Sequence, residues 1–180
     1  PAIRARLGVR EGERYFIARL DSWQAGHDTF LHGIADEGLD RILEVLRPHG
    51  RVFLSSERPL APRHAPLALP TAPEGIHSVL ARACLLVGDS STMVSEAAVL
   101  GTPAVYVSPF RLGYLDEQER RYGLCRSVRT VAEAIPIVQG LLARADLGRV
   151  MAARRDRMLA DCRDVTPVIV EAIGRAARTR

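Results

Sequence analysis

The chain has 180 residues, of which 47% are apolar, 26% charged and 5% aromatic. This length suits one globular domain with a substantial buried core. No apolar run approaches the roughly 20 residues that a membrane-spanning helix needs, and residues 1–14 are polar rather than signal-like. We therefore expect a soluble, cytoplasmic protein with no transmembrane segment, which leaves peripheral membrane association open.

All 25 basic residues are arginines, because the sequence contains no lysine. Mechanisms that need a lysine Schiff base or a P-loop lysine are thereby excluded. The net charge is +4, but the arginines are dispersed among 21 acidic residues, so nucleic acid is not an expected partner. The three cysteines (Cys84, Cys125 and Cys162) lack the spacing of metal or redox sites, and we predict no metal site.

Short apolar runs alternate with amphipathic stretches through the middle of the chain. In chain order, the pattern predicts a strand at 14–20, a helix at 36–47, a strand at 52–55, a short helix at 75–82, a strand at 83–87, a helix at 92–100, a strand at 103–107, a helix at 114–122, a strand at 124–128, and helices at 130–144 and 147–178. The strands are continuously apolar, which is typical of parallel sheets covered on both faces.

This order predicts the α/β class, a doubly wound parallel sheet of the Rossmann-like kind. We expect one domain over 1–180, with a lead-in or linker at 1–13 and C-terminal helices at 145–180. The chain opens at Pro1 on a polar segment without an initiator methionine, so we also expect it to be the second half of a longer two-domain protein.

The turn after the strand at 83–87 is the first candidate binding site. Gly88 would let the chain bend tightly, while the small residues Ser90 and Ser91 would let a ligand approach the backbone. The first amides of the following helix, with the positive end of its dipole, suit a phosphate or diphosphate. Equally, Asp89 or Ser90 could serve only as a helix N-cap.

Glu96 is the second candidate, because it is a carboxylate on a short, otherwise apolar helix. A buried carboxylate needs partners, and the hydroxyls of a ribose would be suitable ones. The alternative is a solvent-exposed glutamate, or one paired with Arg82 or Arg111.

The segment 21–28 is the third candidate, since it follows the first predicted strand. Trp23, His27 and Asp28 would bring an apolar ring, a group that titrates near neutrality and a carboxylate to one edge of the sheet. They could instead be packing and capping residues. Arg19, inside the strand, needs an anionic partner, either a protein carboxylate or a ligand phosphate.

Three blocks of the sequence resemble known proteins. The stretch GDSSTMVSEAAVLGTP at 88–103 is similar to the nucleotide-sugar motif of the GT-B superfamily, which includes UDP-N-acetylglucosamine 2-epimerases and many glycosyltransferases. The stretches YFIARLDSWQAGHD at 15–28 and YLDEQERRYGL at 114–124 resemble the second domain of a prokaryotic family of unknown function within that superfamily.

The resemblance implies that the amides and hydroxyls of Ser90, Ser91 and Thr92 hold the diphosphate, with Glu96 on the ribose and the loop at 72–77 near the base. Gly88 and Asp89 complete the candidate diphosphate-binding set. We take His27 and Arg19 as the candidate catalytic contacts to the leaving group or sugar. The donor would be a UDP-linked nucleotide sugar, with no other cofactor and no metal. A missing N-terminal domain or partner subunit would complete the active-site cleft.

The first functional hypothesis is therefore a nucleotide-sugar-binding domain of a GT-B-type glycosyltransferase or epimerase-like enzyme in surface polysaccharide or glycolipid synthesis. The second is a non-catalytic regulatory or assembly domain that retains the fold. A third, a flavodoxin-like cofactor or response domain, would need a flavin or an acidic phosphoacceptor site, for which only Asp21 and Asp89 are suitably placed.

Overall fold

The computed structural model of the protein describes residues 2–22 and 33–178. Five strands form one sheet in the order β2-β1-β3-β4-β5, and every neighbouring pair is parallel. The strands are β1 (Tyr15–Leu20), β2 (Arg51–Ser56), β3 (Leu86–Gly88), β4 (Ala104–Val107) and β5 (Cys125–Val128). The predicted doubly wound parallel sheet is confirmed.

Eight α-helices lie in the described part of the chain. They are α1 (Ala2–Arg6), α2 (Asp36–Leu46), α3 (Ile76–Leu80), α4 (Ser91–Leu100), α5 (Gly113–Glu117), α6 (Val131–Leu142), α7 (Leu147–Asp161) and α8 (Val165–Arg178). A π-helical turn, Gln118–Tyr122, continues α5, and three 3₁₀ turns occupy Arg47–His49, Ala65–Leu67 and Pro73–Gly75.

The central strand β1 shows why the strand sequences are continuously apolar. Its alternate side chains enter two different cores: Tyr15 and Ile17 pack on one face of the sheet, and Phe16, Ala18 and Leu20 on the other. One core includes residues of α1, α3 and α4, and the other residues of α2 and α6. A third, smaller cluster joins α7 to the end of α4. Burial on both faces leaves no polar side of the strand.

Gly88 and Gly101 mark the ends of the segment that becomes important below. A Cβ on Gly88 would lie 2.6 Å from the Arg19 carbonyl oxygen, so only glycine allows β3 to approach β1 this closely. The close packing of two strands, rather than the predicted tight bend, therefore explains why a glycine is needed at this position. Gly101 ends α4 in the left-handed conformation, with φ 80°.

The structure differs from the sequence-based expectation at both ends of the chain. The predicted lead-in at 1–13 contains α1, and Ile3, Leu7 and Val9 are buried in the core. The predicted helix at 147–178 is two helices, because Cys162 is extended and the Asp164 carboxylate accepts a hydrogen bond from the Thr166 amide. Pro167 explains the break, since a proline inside a continuous helix would lose an amide and clash with a carbonyl.

Candidate functional site

The candidate site lies at the carboxyl edge of the sheet, where β1 is flanked by β2 on one side and β3 on the other. The chain connections therefore diverge between β1 and β3. Open α/β sheets bind ligands at such a topological switch point, outside the carboxyl ends of the strands. The turn from β3 into α4 occupies this position, as the sequence predicted.

The N-terminus of α4 provides an anion-binding geometry. Ser90 is the N-cap residue and is extended, but its side chain makes no capping hydrogen bond. The first helical backbone bond joins the Val94 amide to the Ser90 carbonyl, so the three preceding amides have no helical acceptor. Ser91 is half-buried and Thr92 is exposed at this end. The positive end of the helix dipole and these amides can hold a phosphate.

Asp89 has a different role from the predicted one. It is buried, its Oδ1 accepts a hydrogen bond of 2.7 Å from the Asp21 amide, and its Oδ2 accepts one of 2.9 Å from the Ile34 amide. Its own amide donates to the Arg19 carbonyl at 3.3 Å. Because the amide and the carboxylate of Asp89 are both bonded to backbone groups, Asp89 fixes the positions of Asp21 and Ile34. We therefore remove Asp89 from the diphosphate-binding set.

Glu96 lies one turn further along α4, on the same side as Thr92. Its Oε1 is 3.6 Å from Nε2 of His77 on α3, and the Glu96 side chain is 36% exposed. Glu96, His77 and Thr92 line one cavity of about 340 Å³, together with Ser95, Val99 and Tyr114. Of the partners that the sequence suggested, Arg111 pairs with Asp116 at 2.6 Å. The carboxylate is thus accessible and close to the helix N-terminus.

The sequence left either a protein carboxylate or a ligand phosphate as the partner of Arg19, and in the structure the partner is a protein carboxylate. Its side chain is only 11% exposed, forms an ion pair with Glu57, and donates from Nη1 to the Ser55 hydroxyl at 3.0 Å. Its Nε is buried and makes no hydrogen bond. Ser55 lies at the end of β2 and Glu57 directly follows it, so the guanidinium of Arg19 connects β1 to β2 at the edge of the candidate site.

A larger cavity of about 710 Å³ borders Arg19. Its walls are the end of β2, the loop that contains Thr71, and the apolar side chains of Ile76 and Met93. The hydroxyl of Thr71 is buried without a partner in the described part of the chain. Since Met93 adjoins Thr92 in α4, this cavity reaches the same helix N-terminus as the smaller one.

The structure also brings forward residues that sequence reasoning missed. His77 pairs with Glu96 only because α3 packs against α4, and sequence separation gives no sign of that contact. Tyr106 is buried near the end of β4. Burial raises the pKa of its hydroxyl, and side-chain hydrogen bonds with Ser108 and Ser91 partly offset this rise. A tyrosine among the aliphatic residues of β4 was the available signal for it.

Some predictions fall outside the described residues or concern absences. His27, Trp23 and Asp28 lie in segment 23–32, outside the described part. Within residues 2–22 and 33–178, no group of three or more His, Cys, Asp and Glu is arranged to hold a metal ion. None of the helices in the same ranges is sufficiently long and apolar to cross a membrane.

Comparison with solved structures shows the fold of glycosyltransferases and 2-epimerases. The spinosyn forosaminyltransferase SpnP aligns with a TM-score of 0.59 and 15% identity, over 93% of this chain and 46% of its own. The glycosyltransferase VinC, in complex with dTDP, gives 0.58 and 14%, over 93% and 42%. A putative UDP-N-acetylglucosamine 2-epimerase from Listeria monocytogenes gives 0.56 and 16%, over 83% and 44%.

These similarities define the class of the fold. The chain has a Rossmann-like fold that it shares with these glycosyltransferases and this 2-epimerase, so the resemblance seen in the sequence is confirmed at the level of the fold. The chain spans less than half the length of the structures it matches. No model of a known protein family matches the sequence, and neither does any curated protein.

Proposed function

We propose that the chain is the nucleotide-sugar-binding domain of a GT-B-type glycosyltransferase or epimerase-like enzyme that uses a UDP-linked donor. The observation that carries this proposal is the accessible N-terminus of α4 at the switch point, with the Glu96 carboxylate one turn away on the same cavity. The proposal includes a cytoplasmic location and a role in surface polysaccharide or glycolipid synthesis.

The bound donor would lie across the two cavities. The diphosphate would accept hydrogen bonds from the amides of Ser91 and Thr92, in line with the α4 dipole. The Glu96 carboxylate would accept hydrogen bonds from the ribose hydroxyls. The larger cavity, with its apolar walls at Ile76 and Met93, would receive the flat, partly apolar base.

The departing diphosphate would be stabilised without a metal in this proposal. Preorganised amides at a helix terminus stabilise developing negative charge because they need no reorganisation. Arg19 would add positive charge at the same edge, although Glu57 already neutralises part of it. His27 remains the proposed second contact to the leaving group or the sugar.

A further domain or subunit would complete the active site. The chain covers only 39–46% of the solved structures that it matches. The helix α8 supports this part of the proposal, because it buries no side chain and exposes Val165, Val168, Ile169, Val170 and Ile173. Such contiguous apolar surface marks an interaction site.

Titration calorimetry with UDP, GDP, dTDP and CDP, each with and without EDTA, tests the proposal. We expect UDP to bind and EDTA to leave its affinity unchanged. Loss of binding in EDTA would contradict the metal-independent part alone. Absence of binding by all four nucleotides, both to this chain and to a longer chain containing any upstream domain, would contradict nucleotide binding and favour the regulatory or assembly role.

A further inference from the structure

A second large cavity lies at the opposite, amino edge of the sheet. It has a volume of about 720 Å³ and is bordered by residues that precede β1, β3 and β4, among them Arg14, Cys84 and Pro103. The six residues of β1 separate the two edges by roughly 20 Å at about 3.3 Å per residue. This cavity is therefore separate from the proposed donor site.

The charged residues that line this cavity are all positive. They are Arg14, Arg82, Arg144 and Arg155. Arg144 pairs with Asp146 at 3.2 Å and Arg155 with Asp156 at 2.6 Å, but neither aspartate lines the cavity. A concave surface with one sign of charge concentrates ions of the opposite sign.

Arg14 and Arg82 are the least compensated of these arginines. Within residues 2–22 and 33–178, neither has a carboxylate within ion-pair distance, and neither guanidinium donates a hydrogen bond. Arg14 lies over the ring of Phe16, 5.4 Å from its centroid. The donors of both side chains are thus available to a ligand.

The ends of neighbouring helices explain why arginines collect at this edge. Helices α3, α4 and α6 end at Leu80, Leu100 and Leu142, next to cavity-lining residues, and helix C-termini favour cations. Hydrogen bonds from guanidinium groups to those terminal carbonyls would satisfy both partners. Arg82 donates no such hydrogen bond in the described structure. The partial negative charge at the helix ends therefore favours its guanidinium group, while the N–H groups of that side chain stay available.

We propose that this cavity is an anion site that binds a phosphate or diphosphate group attached to a small organic body. Guanidinium groups bind phosphate through paired hydrogen bonds, and those of Arg14 and Arg82 are not used by a carboxylate in the described part of the chain. Leu100, Leu142 and Leu147 also line the cavity and would contact the apolar part of the ligand. The site is distinct from the donor site: Leu100 lines both this cavity and the smaller donor cavity, but none of the four arginines lines either donor cavity.

The test is a two-dimensional ¹⁵N NMR titration of the chain with inorganic pyrophosphate. We expect saturable shifts of the backbone amides of Gly101, Ala145 and Gly148, which border the cavity. Replacing the two least compensated arginines, in the variant Arg14→Gln with Arg82→Gln, should weaken pyrophosphate binding by about tenfold or more through lost charge-assisted hydrogen bonds. Arg41→Gln, an exposed arginine on α2, is the matched control and should leave the affinity unchanged.

Three results would overturn the proposal. They are shifts confined to the first turn of α4, an affinity that the double variant leaves unchanged, or an equal loss in the Arg41→Gln control. Sedimentation with phosphatidylglycerol vesicles identifies the source of the phosphate. Vesicle binding that Arg82→Gln weakens indicates a lipid headgroup, whereas pyrophosphate binding without vesicle binding indicates a soluble phosphate.

Discussion

Replacing Glu96 with alanine tests the candidate site at its most specific side chain. The carboxylate is 36% exposed and lies on the cavity that includes Thr92, at the first turn of α4. A hydrogen bond to a charged group contributes about 1.5–3 kcal/mol. Partial exposure reduces this contribution, so we expect a loss of about 1–2 kcal/mol, or a Kd for UDP that rises about 5- to 30-fold.

Titration calorimetry measures this change directly, and two further variants make it interpretable. Glu96→Gln keeps one accepting oxygen and should fall between the wild type and Glu96→Ala. Glu44→Ala removes an exposed carboxylate from α2 and should bind UDP like the wild type. An unchanged Kd in Glu96→Ala, measured on protein with a wild-type thermal midpoint, would remove Glu96 from the site.

The remaining predictions concern the backbone amides at the N-terminus of α4 and the buried core. Ser91→Val should obstruct the diphosphate at the first turn of α4 and raise the calorimetric Kd for UDP. An unaltered Kd would count against diphosphate binding by the amides at the N-terminus of α4. Gly88→Ala should lower the free energy of unfolding in urea by about 2–3 kcal/mol, because the added Cβ would lie 2.6 Å from the Arg19 carbonyl oxygen; wild-type stability would contradict this. Tyr15 donates to the Val79 carbonyl at 2.6 Å, and burial raises its pKa from 10.0 to about 12. The native state therefore keeps a proton that the unfolded chain loses, so the free energy of unfolding should fall between pH 10 and 12 by about 1 kcal/mol per pH unit. In Tyr15→Phe this part of the pH slope should vanish, and an equal slope in both proteins would refute the assignment.

The sheet could be predicted because its strands are buried on both faces. Leucine, valine and isoleucine therefore occupy consecutive positions, as at Leu85–Val87, and the pattern needs no knowledge of the neighbours. The helix α1 could not be predicted in this way. Its five residues carry two arginines, and Ile3 is buried only because the chain folds back onto the core.

The position of the candidate site followed from local sequence, but its contacts did not. A small-residue turn between a strand and a helix places Ser90 and Ser91 at the sheet edge whatever the rest of the chain does. The pairing of Glu96 with His77 depends on the packing of α3 against α4. Likewise, nothing near Asp89 in sequence shows that its carboxylate accepts the amides of Asp21 and Ile34.

The most direct test of the central claim is to locate UDP on the protein by NMR. In a titration of ¹⁵N-labelled chain, the account predicts saturable shifts of the amides of Ser91, Thr92 and Glu96, together with His77 across the groove. Shifts that occur only at the opposite edge of the sheet, around Gly101, or no shifts at millimolar UDP in either this chain or a longer one that contains any upstream domain, would contradict it.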